Sequence, residues 1–269
     1  MTHTRNFMPI ALLSAGLLLV ACGKQQPAPE PLPLPDGQAQ LDTPDTTPAS
    51  TEQAELKATI IPAFEEAAAN GQMDAALFLA LFRLRPETET LFLETAVRAR
   101  NNGATYEEAG RAGGDAIRPA LIEESNKAIQ RATDQQASDF AEVTLKEFRE
   151  FETASAQDCA RTAMGLSPLL ASDRMAKLRN AESAITLDIL NAPDQGGFKI
   201  SPMRDVQTWM GGVFQDIPAA GTGATYIGTP NPTDEQAGAI CTTMITIYEE
   251  LGKLPLARRA AYMRGMSAG

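Results

Sequence analysis

From residue 51 onward apolar residues recur at intervals of three and four and nowhere alternate in a sustained period of two, so the chain reads as amphipathic helices with at most a minor sheet. The residues that mark helix ends follow the same punctuation. Ser50 precedes Gln53, Thr105 precedes Glu108 and Thr233 precedes Gln236, the spacing at which a hydroxyl accepts from the helix backbone and the later side chain reaches back. Pro62, Pro86, Pro202 and Pro255 are placed to open helices, and Gly71, Gly103 and Gly252 to close them. The pattern predicts helices over 51–70, 73–84, 87–101, 105–113, 115–133, 137–164, 172–191, 202–215, 234–251 and 255–266, some neighbours merging to leave about eight. The expected fold class is all-α, an irregular, orthogonal bundle of about eight or more helices.

At about 100° per residue, Ala137, Phe140, Val143, Phe148, Phe151 and Ala154 form one stripe of the 137–164 helix. Ala237, Ile240, Cys241, Met244, Tyr248 and Leu251 form another on 234–251. Both stripes are expected to face a core. The Met73–Leu84 stretch is apolar nearly all round, which suits a central helix ringed by the others. Residues 51–269 then form one domain, or two helical subdomains dividing near residue 134. No internal repeat at about 34 or 40 residues points to a solenoid.

The N-terminus has a different character. Met1 to Asn6 carries Arg5, Phe7 to Val20 is almost wholly apolar, and Leu19-Val20-Ala21-Cys22 closes the run. This is the anatomy of a secretory signal, too short to span a bilayer, which takes about 20 apolar residues. The Leu-Val-Ala-Cys boundary resembles the lipobox of bacterial lipoproteins. That resemblance covers residues 1–22 only. It implies that 1–21 is a signal peptide and that Cys22 is acylated, first on sulfur and then on its new amino group, by fatty chains such as palmitate. The mature chain would then be tethered to a membrane of the cell envelope. An ordinary signal peptide with an incidental Cys22 is the competing reading. At about 0.8 kcal/mol per buried methylene, two or three acyl chains anchor effectively for good. Among such lipoproteins an aspartate after the cysteine signals inner-membrane retention. Gly23 stands there instead, which implies the outer membrane facing the periplasm, while Lys24 keeps the inner membrane open.

Residues 22–50 join this anchor to the helical part. The stretch from Pro27 carries prolines at 27, 29, 31, 33, 35, 44 and 48, which favour polyproline II at about 3.1 Å per residue and a semi-stiff spacer of up to roughly 70 Å. It reads as a linker, or as a proline-rich ligand for another protein. Formal charge is −11, and −12 once Arg5 leaves with the leader. With no Lys/Arg-rich run, that balance excludes nucleic acid as a partner; a partner steered by charge would be basic, and an envelope protein is the class expected.

Once Cys22 is lipidated, Cys159 and Cys241 are the two remaining cysteines of an exported chain. Two thiols in an oxidising compartment pair, so one inter-helix disulfide is expected. His3, the only histidine, leaves with the leader, which removes histidine-based triads, His-ligated zinc and histidine pH switching. No phosphate-binding loop or calcium loop occurs, and Gly221-Thr222-Gly223 lacks the third glycine of a dinucleotide loop. No cofactor, metal or catalytic residue is therefore assigned.

Three features remain. Glu124-Ser125 resembles the catalytic glutamate and serine of lytic transglycosylases, but that family's further motifs are missing and the pair lies at the edge of its helix face. Glu182 falls among Met175, Leu178, Ile185 and Ile189, as a candidate buried acid that is either functional or paired with an arginine such as Arg174. Asp216 to Pro232 reads as a long irregular loop, and Trp209 and Tyr226 beside it form either a recognition patch or a core anchor. The function expected is a non-enzymatic binding or scaffold module of the cell envelope. The alternative is a carboxylate-dependent peptidoglycan hydrolase.

Overall fold

Helix ends in this chain are written locally, and most of the architecture follows from them. The computed structural model describes residues 47–166, 172–192 and 196–268, with side chains from residue 53; the leader, Cys22 and the proline-rich stretch up to residue 46 lie outside it. The described residues form eleven helices and no strand: α1 (Thr47–Ala69), α2 (Met73–Leu84), α3 (Pro86–Asn101), α4 (Tyr106–Gln130), α5 (Asp134–Ala154), α6 (Ala156–Ala163), α7 (Asp173–Asn191), α8 (Met203–Asp216), α9 (Pro218–Ala224), α10 (Asp234–Gly252) and α11 (Leu256–Met266). Thr105 and Thr233 close reciprocal capping boxes with Glu108 and Gln236. Thr133 does the same with Gln136, a cap the sequence reading missed. Pro86 occupies the first turn of α3, and Pro202 and Pro255 stand just before α8 and α11. Gly71 and Gly103 take φ of +83° and +88° after α1 and α3, a conformation open to glycine at little cost.

Four boundaries differ from the sequence pattern. Helix α1 begins at Thr47, so Ser50 lies inside it, and Pro62 is interior on an exposed side, where water can serve the carbonyl that proline leaves without a partner. The predicted segments 105–113 and 115–133 are one helix, α4. Gly113 does not break it: a Cβ there would stand 2.9 Å from the Phe92 ring, so the glycine lets α3 and α4 press together. The predicted 137–164 helix is two. Ser155 is extended (φ −164°, ψ 100°) and its hydroxyl accepts from Asp158 N, restarting the chain as α6. Finally, the expected loop 216–232 contains α9. Gly223 there faces the Ala239 carbonyl of α10 so closely that a Cβ would overlap it, which explains glycine inside this helix.

The apolar faces assemble into two cores. The first is built by α1–α3 and the first half of α4 around Phe64, Phe78, Phe82 and Phe92, whose ring centroids lie 5.5–6.4 Å apart. The second is built by the end of α4 with α5, α6, α10 and α11, around Phe140, Phe148, Phe151, Ile240, Met244 and Met263. Helix α4 passes from Leu121 in the first to Ala128 in the second, and α7 gives Leu187 to the first and Met175 and Ile189 to the second. Helix α2 is therefore not the central helix expected: it packs on α1, α3 and α7 within the first core. The all-round apolar helix of the second core is α10, in contact with α5, α6, α9 and α11. Cys159 of α6 and Cys241 of α10 are bonded, with Cα atoms 5.5 Å apart.

Candidate functional site

Where the two cores meet, the packing turns polar. Glu147 on α5 and Arg179 and Glu182 on α7 are buried, Glu147 to 1% and Glu182 to 4% exposure, and Asp74 in the first turn of α2 is half-buried beside them. Glu147 reaches this seam because it lies three residues after Thr144 and four before Phe151 on the inward face of α5. Arg179 sits one turn before Glu182, so α7 presents a cation and an anion side by side. Arg174, the partner expected for Glu182, points to solvent and pairs with Glu150 at 2.9 Å. The seam is tied by two bonds between α7 and α2: Asn180 Oδ1 accepts from Met73 N at 2.6 Å, and Ser183 Oγ donates to Asp74 Oδ1 at 2.5 Å. Arg118 of α4 lies nearby and donates from Nε to the Gly165 carbonyl at 2.5 Å.

Burial sets the protonation of this cluster. Removal from water pushes the Asp74 carboxyl up to about 6, against the lowering pull of the Ser183 hydroxyl and Arg179. Burial, with Glu182 and Asp74 as like charges, lifts Glu147 well above the usual carboxylate range, and Arg179 opposes it only in part. Both Glu147 oxygens are buried with no hydrogen-bond partner, the arrangement in which a carboxyl keeps its proton. Burial brings Arg118 down to about 10 and drives the Tyr248 phenol upward. Three acids thus face two arginines across the seam. A large substrate cannot touch Glu147 or Glu182 without parting the helices that cover them.

The titration has a measurable sign. A folded pKa above the unfolded value means that Asp74 binds its proton more tightly in the fold, so its contribution is present below about pH 4 and is lost as pH rises through 6. We expect the protein to lose on the order of 2–3 kcal/mol from this group between pH 4 and 7.5. Asp74→Asn keeps an acceptor for Ser183 and should flatten that slope in urea unfolding measured at several pH values. An unchanged slope would refute the assignment.

The other sequence candidates lie elsewhere. Glu124 is in a surface ion cluster with Lys127 at 2.9 Å and Arg85 at 3.8 Å, so the acid is bound up in solvated pairs. Trp209 is half-buried on α8, its ring 5.3 Å from Tyr262 of α11. Tyr226, in the turn after α9, is half-buried against the second core, and among the described residues no ring contact joins it to Trp209. Beside Tyr262 a cleft of about 420 Å³ opens between the segment 199–205 and the first turns of α11. Nothing in the local sequence marks it, because it arises from the packing of segments some 60 residues apart. Among the described residues no three His, Cys, Asp or Glu side chains are grouped to hold a metal ion, and no helix is long and apolar enough to cross a membrane. No protein-family model, curated protein or solved structure matches the chain.

Proposed function

We propose that this chain is a lipid-anchored protein of the bacterial cell envelope, held to the outer membrane through Cys22, whose helical domain works by binding. The observation that carries the reading is the Leu19-Val20-Ala21-Cys22 boundary at the end of an apolar leader, followed by a proline-rich spacer. The Cys159–Cys241 bond agrees with it, since disulfides persist in oxidising compartments such as the periplasm. For the domain itself, burial of Glu147 and Glu182 weighs toward binding and against hydrolysis of a polymer, because a general acid must come within hydrogen-bond reach of its substrate.

Cys22→Ser tests the anchor. The wild-type chain should fractionate with membranes and move to the detergent phase on extraction, while the variant accumulates as uncleaved precursor or soluble protein. A variant that is processed normally and still partitions with membranes overturns the reading.

A further inference from the structure

The cleft between residues 199–205 and α11 is built on a fixed frame. Arg264, fully buried, donates from Nη1 to the Lys199 carbonyl at 2.9 Å and from Nε to the Ala132 carbonyl at 2.9 Å, so the backbone of one wall is tied to the α4–α5 corner. Ser201 N donates to the Ala261 carbonyl at 3.0 Å, and Gly265 has no Cβ to push the Ser201 carbonyl away. On the opposite wall Arg258 donates from Nη2 to the Tyr262 hydroxyl at 3.0 Å, with its guanidinium carbon 5.3 Å from that ring's centroid. Trp209 packs on the same ring, their centroids 5.3 Å apart.

The charges at this cleft run against the rest of the molecule. In a chain with 34 acidic residues, Lys199 and Arg258 both line the cleft, and among the described residues neither forms an ion pair. The one carboxylate of the lining, Asp205, has the Arg204 guanidinium 3.7 Å away. Apolar surface in the cleft comes mainly from Pro202 and Ala257, with the buried Ala261 and Tyr262 at its base. A volume of about 420 Å³ falls in the range of small-molecule sites.

We propose that this cleft binds a small organic anion bearing an apolar group, with the anion held by Lys199 and Arg258 and the apolar group set against Pro202, Ala257 and the exposed edge of Tyr262. The guanidinium offers a planar fork to a carboxylate or phosphate, and its tether to the Tyr262 hydroxyl fixes its direction before the ligand arrives. The net negative charge of the chain opposes long-range attraction, so recognition is short-ranged and modest in strength. The inference deepens the binding reading above and rests on it only for the kind of activity. The two fail separately, because the anchor is read by fractionation and the cleft by titration.

The chain's sole tryptophan reports on the cleft. Adding phenyl phosphate to the purified full chain with its disulfide intact should change Trp209 emission saturably, with Kd on the order of 1 mM. Phenol or inorganic phosphate alone should bind at least about tenfold more weakly. Arg258→Gln and Lys199→Gln, both at exposed positions, should each weaken phenyl phosphate about fivefold, and Asp205→Asn should tighten it about threefold. All three variants should keep the parent melting temperature. Emission that does not saturate, inorganic phosphate binding as well as phenyl phosphate, or cation variants that bind like the parent would each overturn the proposal.

Discussion

Replacing Cys159 and Cys241 together by alanine should lower the unfolding free energy by about 4.5 kcal/mol, the chain-entropy value for closing a loop of 82 residues. That is a large part of the 5–15 kcal/mol typical of a folded domain. The effect falls on α6 first. This helix has 8 residues, too few to persist alone in water, and it is held by the bond and by its packing on α5 and α10. Urea unfolding of the double variant, and of the parent with a thiol reductant, should show the same drop in midpoint, and amide exchange should rise in 156–163 before it rises in α10. A loss under about 1 kcal/mol would mean that packing alone holds α6.

Arg264→Met should cost about 2–4 kcal/mol, because it removes the donor of three hydrogen bonds and leaves carbonyls at a buried site unpaired. The side chain is 0% exposed and donates to three acceptors from separate parts of the chain: the carbonyls of Ala132 and Lys199, and Asp134 Oδ1 at 2.6 Å. Methionine fills much of the volume but leaves two carbonyls without a donor. Arg264→Lys keeps the charge yet lacks the planar fork, and should recover only part of the loss. Thermal unfolding measures the cost. Limited proteolysis supplies the second readout, because the segment 196–201 loses its tie and should become the first site of cleavage. A variant that melts like the parent would show that the guanidinium is replaceable.

The helices were legible where their signals are local. Thr105 and Thr233 and the glycines at 71 and 103 announce helix ends within three or four residues, and the structure places them there. The disulfide followed from counting cysteines and from the inward stripe that carries Cys241. What escaped depends on distant neighbours. Gly113 and Gly223 look like breaks until Phe92 and the Ala239 carbonyl are set against them. Burial of Glu182 was readable from the stripe of α7, but Arg174, one candidate partner, pairs with Glu150 instead, and the arginines near Glu182 are Arg179 and Arg118. Eight residues separate Arg174 from Glu182, about 80° off the face, whereas the three separating Arg179 keep it within about 60° and one turn away. Glu147 was passed over because a glutamate between Lys146 and Phe148 looks like a solvated position, and only the approach of α7 and α2 makes it otherwise. The cleft beside Tyr262 has no sequence signature at all, since its walls meet only in the fold.

The two cores would respond unequally to mechanical load. The only cross-link among the described residues joins α6 to α10, wholly within the second core, whereas α1 rests on α2 and α3 through side-chain contacts alone. Tension entering from the N-terminal side therefore pulls first on α1, lifting Phe64 from its three ring neighbours, and shears noncovalent packing well before it reaches a covalent bond. The first core acts as the compliant element and the second as the stiff one.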